Sequence, residues 1–174
     1  MTVFGGAIIY AADINAWRDG PVGRLVASGA QTLTDNVQEA IDFSAEDRDT
    51  GGFHSTSVNI SRVTPTVAGY YRVTGTFFIS TLVNGVTIDV NIRTNGVNNL
   101  APAGRLGGAA GHGVAAGAFS TANAFSTSCT AQVEMDGSTN YFEMMARQNS
   151  GGDDDTNQSS QFSSVLEWEY LRPL

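Results

Sequence analysis

The side chains that could bind a metal ion are few and lie far apart in this chain. His54 and His112 are its two histidines, and they fall in separate parts of the sequence. A zinc site would need both of them together with carboxylates, because metal ligands come as clusters. We therefore interpret them as ordinary loop or strand-edge histidines, and we predict neither a metal site nor a cofactor.

A run of three carboxylates, Asp153-Asp154-Asp155, lies in a Gly- and Asn-rich stretch. Calcium prefers several carboxylate and carbonyl oxygens, and a loop of this kind can supply them. The spacing is not that of an EF-hand, however, and consecutive side chains diverge. A solvated acidic loop is the favoured interpretation, and calcium binding stays open as the alternative.

Two further carboxylates, Glu167 and Glu169, lie on one face of a predicted strand. Catalytic carboxylate pairs normally come from separate elements across a cleft, where their environments differ. We therefore predict that these two make inter-strand contacts. No Gly-x-Ser-x-Gly nucleophile motif is present either, so the chain is predicted not to be an enzyme.

The glycines at 108, 111 and 113 superficially suggest a nucleotide-binding loop. They neither open a helix nor end in the Gly-Lys-Ser/Thr sequence that cradles phosphates. The Gly/Ala-rich stretch 101–117 and the stretch 149–157 are therefore both predicted to be long surface loops.

The charge balance argues against a nucleic-acid partner. The chain has 17 acidic and 9 basic residues and a formal charge of -8, and every basic residue is Arg. Phosphate binding needs clustered cations, whereas these arginines are scattered from Arg18 to Arg172. Cys129 is the one cysteine, which excludes an intrachain disulfide.

No apolar run reaches the length of a membrane-spanning helix. The first residues also lack the charged and apolar regions of a secretory signal. We therefore expect no membrane span and synthesis in a cytoplasm.

Alternating apolar residues predict an all-β chain. The 20 glycines and the low charged fraction of 15% suit many strands and turns. The clearest strands cover 86–92, before the hairpin dipeptide Asn95-Gly96, and 125–135, where Cys129 points to the core. A last strand covers 166–170. Residues 37–43 fit a helical turn or a strand, and we favour the strand.

Two strands are apolar on both faces, Tyr70 to Ile79 and Tyr141 to Ala146. Such a strand is either sandwiched in a core or covered by a second chain, and large apolar patches are uncommon on monomers. We interpret these strands as evidence of oligomerisation.

The first twenty residues differ from the rest and are predicted to form a separate arm, 1–20, before a domain at 21–174. Phe4 to Ala12 is apolar, Asp13 could cap a helical turn at 14–17, and Gly20-Pro21 ends the segment. Either the arm is a strand tucked onto its own domain or it docks on something else.

Several short phrases occur in order along residues 24–174 and together resemble the C1q/TNF-like jelly-roll family, including its bacterial and phage members. They are Ala30-Gln31-Thr32-Leu33, Ile41-Asp42-Phe43, Asp49 to His54, Arg62 to Val73 and Arg93-Thr94-Asn95-Gly96. The usual Gly-Asp before the penultimate strands is replaced by Asp136-Gly137-Ser138-Thr139, so ligand contacts of the family are not carried over.

This resemblance implies a ten-stranded antiparallel sandwich that assembles as a homotrimer. The aromatic side chains expected near the trimer axis are Tyr70, Phe78, Tyr141 and Trp168.

The N-terminal arm is similar to the opening of bacteriophage fibre and other virion surface proteins. With the trimeric domain, this implies a non-catalytic structural protein on the virion surface, a capsid decoration or head-fibre protein. The alternative is a tail-fibre or baseplate tip that recognises a host-surface glycan or protein. The arm residues expected to attach it to the particle are Phe4, Ile8, Ile9, Tyr10, Ile14 and Trp17.

Overall fold

A computed structural model describes residues 19–79, 87–96, 110–114, 125–156 and 163–174. These residues form twelve β-strands, and no helix among them is long and apolar enough to cross a membrane. The strands are β1 Val22–Val26, β2 Thr32–Leu33, β3 Glu39–Ala40, β4 Ala45–Asp49, β5 Arg62–Val63, β6 Gly69–Ile79, β7 Thr87–Thr94, β8 Ala110–Val114, β9 Phe125–Met135, β10 Phe142–Gln148, β11 Asp154–Asp155 and β12 Val165–Arg172.

The strands form two main antiparallel sheets. The first sheet has the order β4-β1-β12-β6-β9. The second has the order β3-β10-β7-β8, and β5 also pairs with β10. A small third sheet joins β2 to β11. Because most neighbours in the sheets are not consecutive in the chain, the connections cross from one sheet to the other, as in a sandwich.

The core lies between the two main sheets and follows the predicted alternation. In β6, Tyr71, Val73, Phe77 and Ile79 are fully buried and Gly75 between them is buried too, whereas the residues that alternate with them are only partly buried or exposed. Cys129 of β9 is 5% exposed, which confirms its predicted core position. Burial raises the pKa of its thiol to about 11, so the thiol stays protonated at neutral pH.

Close approach of a strand backbone to a large ring shapes one part of this core. Gly23 of β1 pairs with Trp168 of β12, and a Cβ atom on Gly23 would lie 1.9 Å from the Trp168 ring. The same indole packs edge-on against Phe142 of the second sheet, with ring centroids 5.9 Å apart. The missing side chain at Gly23 is therefore what allows the indole to fit.

The prediction of two long loops is wrong in part, because each of the two stretches contains a strand. Strand β8 lies inside the Gly/Ala-rich stretch and pairs with β7, with Val90 opposite Gly111. Strand β11 lies inside the 149–157 stretch. Sheet pairing uses backbone groups, so a segment poor in side chains can still add a strand when a partner edge is present. The predicted strand at 37–43 is confirmed only as the two-residue strand β3.

The sandwich has two distinct ends. At one end, which we call the base, β1 and β6 begin while β9 and β12 end, as the pairing of Tyr70 with Arg172 and of Gly69 with Met135 shows. The Tyr170 N–H donates to the Pro21 carbonyl oxygen at 3.0 Å, so the chain enters the sandwich at the base. The opposite end, which we call the far end, carries the small β2–β11 sheet.

Candidate functional site

The outer face of the first sheet is the most extended surface that the strands present away from the core. On β6 it carries Tyr70, Arg72, Thr74, Thr76 and Phe78, and four of these five are partly buried while Arg72 is exposed. The register aligns them with outward residues of β1, β12 and β9. Because β12 and β9 pair with the two edges of β6, the outward side chains of the three strands form a continuous face.

The half of this face nearer the base is charged. Arg24 pairs with Glu167 at 3.1 Å and also with Asp47, and Arg72 pairs with Glu169. The predicted inter-strand contacts of Glu167 and Glu169 are thereby confirmed. The ion pairs are solvent-exposed, so each adds little stability.

A shallow groove of about 540 Å³ runs through this charged half. Three arginines and three carboxylates line it, so the lining has no net charge. Its lining residues are Val22, Gly23, Arg24, Asp47, Arg48, Arg72, Thr74, Glu167, Trp168 and Glu169.

The half nearer the far end is apolar. Val26, Val165 and Thr76 lie side by side in the register of β1, β12 and β6, and Phe78 follows on β6. All four are partly buried within one chain. Sequence analysis did not select the two valines, although a signal existed: each adjoins a core leucine, Leu25 or Leu166, which makes its strand apolar on both faces.

The four aromatic residues predicted for a trimer axis occupy three places. Tyr70 and Phe78 share the outer face of the first sheet. Tyr141 precedes β10 of the second sheet, with the Arg62 guanidinium 4.3 Å from its ring centroid. Trp168 is 3% exposed and belongs to the core, so its indole offers almost no surface to another molecule.

The predicted attachment residues all lie outside the described residues. They are Phe4, Ile8, Ile9, Tyr10, Ile14 and Trp17.

His54 is held by contacts within the chain. Its side chain has no exposed surface, its Nδ1 lies 2.8 Å from Glu46 Oε1, and its Nε2 lies 2.9 Å from the Ile60 carbonyl oxygen. Both ring nitrogens therefore have partners, and the ring ties the 50–61 loop to β4. Among the described residues, no group of three or more His, Cys, Asp or Glu is arranged to hold a metal ion. The His112 side chain lies outside the described part of the structure.

Two carboxylates of the acidic run accept hydrogen bonds from the 32–35 segment. Asp153 Oδ1 accepts from the Asp35 N–H at 3.2 Å, and Asp155 Oδ1 accepts from the Thr32 hydroxyl at 2.6 Å. The run thus helps to join β11 to β2.

At the base, Asp136 closes the turn between β9 and β10. Its Oδ1 accepts from the backbone N–H groups of Ser138, Thr139 and Asn140 at 2.9 to 3.1 Å. These bonds, above all the one from Asn140, hold the pKa of the carboxyl far below its usual range. The tetrapeptide that departs from the family pattern is therefore a well-formed turn.

A buried carboxylate lies on the second sheet between two arginines. Glu143 of β10 is 6% exposed and pairs in register with Arg62 of β5 and Arg93 of β7. Burial raises its pKa, and the charges of Arg62 and Arg93 partly offset that effect. The ionised form of Glu143 is thus less favourable in the folded chain than in the unfolded chain.

This shift predicts a pH dependence of stability. Because the folded-state pKa of Glu143 is raised, its favourable contribution is full below the unfolded-state pKa and is lost as pH rises through the folded-state pKa. The free energy of unfolding of the wild type should therefore fall as pH rises over this range. That of the Glu143→Gln variant should fall less, because this variant has no carboxyl group to ionise at position 143. Urea unfolding midpoints of the wild type and the Glu143→Gln variant between pH 4 and 7 measure this difference. The control is Glu134→Gln, which replaces an exposed carboxylate on β9. Parallel curves for wild type and Glu143→Gln would contradict the assignment.

Comparison with known proteins yields a fold but no family. No family model and no curated protein matches the chain. Among solved structures, the Eiger TNF of S. frugiperda is similar with a TM-score of 0.57 and 10% identity, over 88% of this chain and 93% of that one. Murine APRIL at pH 5.0 is similar with a TM-score of 0.55 and 10% identity, over 86% of this chain and 98% of that one.

These likenesses and the strand order assign the fold. The chain is an all-β, C1q/TNF-like antiparallel jelly-roll sandwich, as the resemblance in sequence predicted. At this identity the likeness shows the fold alone, because one fold hosts many unrelated functions.

Proposed function

We propose that this chain is a non-catalytic structural protein of a bacteriophage virion, a trimeric jelly-roll knob that residues 1–20 fix to the capsid. It would be made in the host cytoplasm and displayed on the virion surface as a capsid decoration or head-fibre protein. The observation that carries the proposal is the outer face of the first sheet, which combines a charged half of balanced charge with an apolar strip on β1, β12 and β6.

The chemistry of that face supports assembly with further copies of the chain. The partly buried side chains of Val26, Val165, Thr76 and Phe78 leave an apolar strip that a second copy would cover. Beside this strip, the equal numbers of arginines and carboxylates avoid like-charge repulsion between copies and favour one docking register.

A non-catalytic role agrees with how the titratable groups are used in the described part of the chain. Both nitrogens of His54, the carboxylates of Glu167 and Glu169, and the carboxylate of Asp136 all bind neighbouring groups of the fold. Such contacts hold strands and turns together and leave these groups in structural roles.

Attachment through residues 1–20 predicts a separable function. A protein that lacks them should keep the sandwich, because all twelve described strands lie at Val22 or beyond, but it should no longer join the particle. The measurement is the amount of protein on purified phage particles assembled with either version, quantified against a capsid protein. Circular dichroism of the free truncated protein is the folding control. Incorporation at the full-length level would refute the attachment role.

The second candidate is a receptor-binding tip of a tail fibre or baseplate. The observation that favours it is the position of the polar 149–156 segment at the far end, opposite the entry of the arm. A knob held by its arm would present that end to a host-surface glycan or protein. Copy number separates the two: hundreds of copies per particle indicate capsid decoration, and a handful indicate a tail tip.

A further inference from the structure

The ring of His54 lies between two groups that accept hydrogen bonds. Its Nε2 lies 2.9 Å from the Ile60 carbonyl oxygen, and its Nδ1 lies 2.8 Å from Glu46 Oε1. A neutral imidazole carries hydrogen on only one of its two nitrogens, whereas the imidazolium ion donates from both. The two contacts together therefore require one more proton than a neutral ring and an ionised carboxylate would hold.

The Ile60 carbonyl oxygen is fixed as an acceptor. It also accepts from the Phe43 N–H at 2.9 Å, so both of its lone pairs are used. Phe43 is fully buried, and Asp42 beside it is exposed. Nε2 must therefore donate, and the additional proton lies between Nδ1 and Glu46 Oε1. Imidazole is a stronger base than a carboxylate, so this proton belongs to Nδ1.

The charged groups on the neighbouring strands place carboxylates rather than guanidinium groups next to His54. On β4, Glu46 contacts the ring, and Asp49 Oδ2 accepts from the His54 backbone N–H at 2.9 Å. Arg48 of the same strand lines the groove on the outer face of the first sheet. Arg62 of β5 stacks on an aromatic ring of the second sheet. A positive charge on the ring therefore has a carboxylate partner.

Burial prevents water from replacing the contact at Nδ1. The His54 side chain has no exposed surface, whereas that of Glu46 is 31% exposed. When the additional proton leaves, the lone pairs of Nδ1 and Oε1 face each other. Glu46 can then turn to water, but Nδ1 stays buried without a donor unless the loop moves away from β4. Loss of the proton therefore favours release of the loop.

The 50–61 loop closes one side of the sandwich. It leads from β4, at the edge of the first sheet, to β5, which pairs with β10 of the second sheet. Phe53 of this loop is 5% exposed and packs edge-on against Tyr71, with ring centroids 6.3 Å apart. Movement of the loop away from β4 would therefore uncover this side of the core.

We propose that His54 is a pH-sensitive latch. With hydrogen on both ring nitrogens, it holds the 50–61 loop against β4, and loss of the Nδ1 proton as pH rises lets the loop move away. The latch is closed on the acid side and open on the alkaline side, because the closed contact is the one that binds the proton. This inference goes beyond the proposed function and does not rest on it.

Nitrogen-15 NMR of the histidine rings in the full-length protein tests the protonation. The His112→Gln variant assigns the signals, since the chain has two histidines. We expect both nitrogens of His54 to carry hydrogen on the acid side, and the Nε2–H tautomer to replace that state as pH rises. A His54 ring that is neutral at every pH at which the protein is folded would overturn the latch.

Hydrogen exchange of the backbone amides of the loop, corrected for the intrinsic effect of pH, measures release. Protection should fall about 10-fold over the pH range in which His54 loses its proton, as expected when a buried polar group is left unpaired. In the Glu46→Gln variant the amide can donate to Nδ1 of a neutral ring, so its loop should stay protected throughout. Asp47→Asn is the matched control, because this neighbouring carboxylate pairs with Arg24. It should behave like the wild type.

Two results of the exchange experiment would contradict the latch. One is an equal pH dependence of loop protection in the wild type and Glu46→Gln. The other is constant protection in the wild type while His54 titrates. Either result leaves the proposed function unaffected, because the proposed trimer and particle attachment use other residues.

Discussion

Replacing Val165 by Glu is expected to convert the proposed trimer into monomers. Val165 is partly buried at the centre of the apolar half of the outer face, between Val26 and Thr76. A second copy that covers this strip would bury the new carboxylate without a partner. An uncompensated buried charge costs about 3–5 kcal/mol, and each interface of the trimer would bear that cost. A cost of this size weakens each contact between copies by roughly 10²- to 10⁴-fold.

Light scattering of the full-length protein at several concentrations measures this effect. The Val58→Glu variant is the matched control, because Val58 is 64% exposed in the 50–61 loop and a charge there should leave the mass unchanged. Unfolding curves show whether Val165→Glu still folds. A Val165→Glu protein that folds and keeps the trimer mass would show that the outer face of the first sheet is not the interface.

Replacing Gly23 by Ala is expected to destabilise the fold by about 3–5 kcal/mol, because the added methyl group and the Trp168 ring cannot occupy the same space. The new Cβ atom would lie between 1.9 and 2.4 Å from three ring carbons of the indole. The ring cannot retreat, since it also packs against Phe142. The indole must leave its place or the strands must separate, and either loses core packing.

A double-mutant cycle isolates this contact. In a Trp168→Leu background, Gly23→Ala should cost much less, because the atoms that clash are gone. Gly29→Ala is the control for the substitution itself, since a Cβ atom there meets nothing within 4 Å. Its stability should stay near or slightly above that of the wild type. Urea unfolding of the four proteins of the cycle and the control gives these differences. An equal cost of Gly23→Ala in both backgrounds would mean that the indole is not the cause.

Trp168 illustrates the limit of sequence interpretation at the interface. Its alternation with Glu167 and Glu169 correctly predicted a strand, yet the same pattern fits a residue on an interface and a residue in the core. The structure places it in the core because Gly23, distant in sequence, lies opposite it and leaves room for the ring. Only the pairing of β1 with β12 carries that information.

Val26 and Val165 were not predicted to lie at an interface, but the structure places both on the outer face of the first sheet. Each looks like an ordinary strand residue, and they become one apolar strip only when β1, β12 and β6 lie side by side. Glu143 is similar, since its burial depends on β5 and β7, which pair with either edge of β10. The local pattern shows that the strands of the two valines are apolar on both faces, but it does not show which strands lie side by side.

By itself, the sequence determined the fold class and which face of β9 meets the core, because a period of two needs only neighbouring residues along one strand. The phrases along residues 24–174 also determined the jelly-roll assignment. The tertiary structure alone decided that the Gly/Ala-rich stretch contains strand β8, that the base gathers both ends of the sandwich domain, and that the outer face has a charged and an apolar half. These features arise from strand pairings between distant segments, and such pairings depend on the whole packed chain rather than on any local pattern.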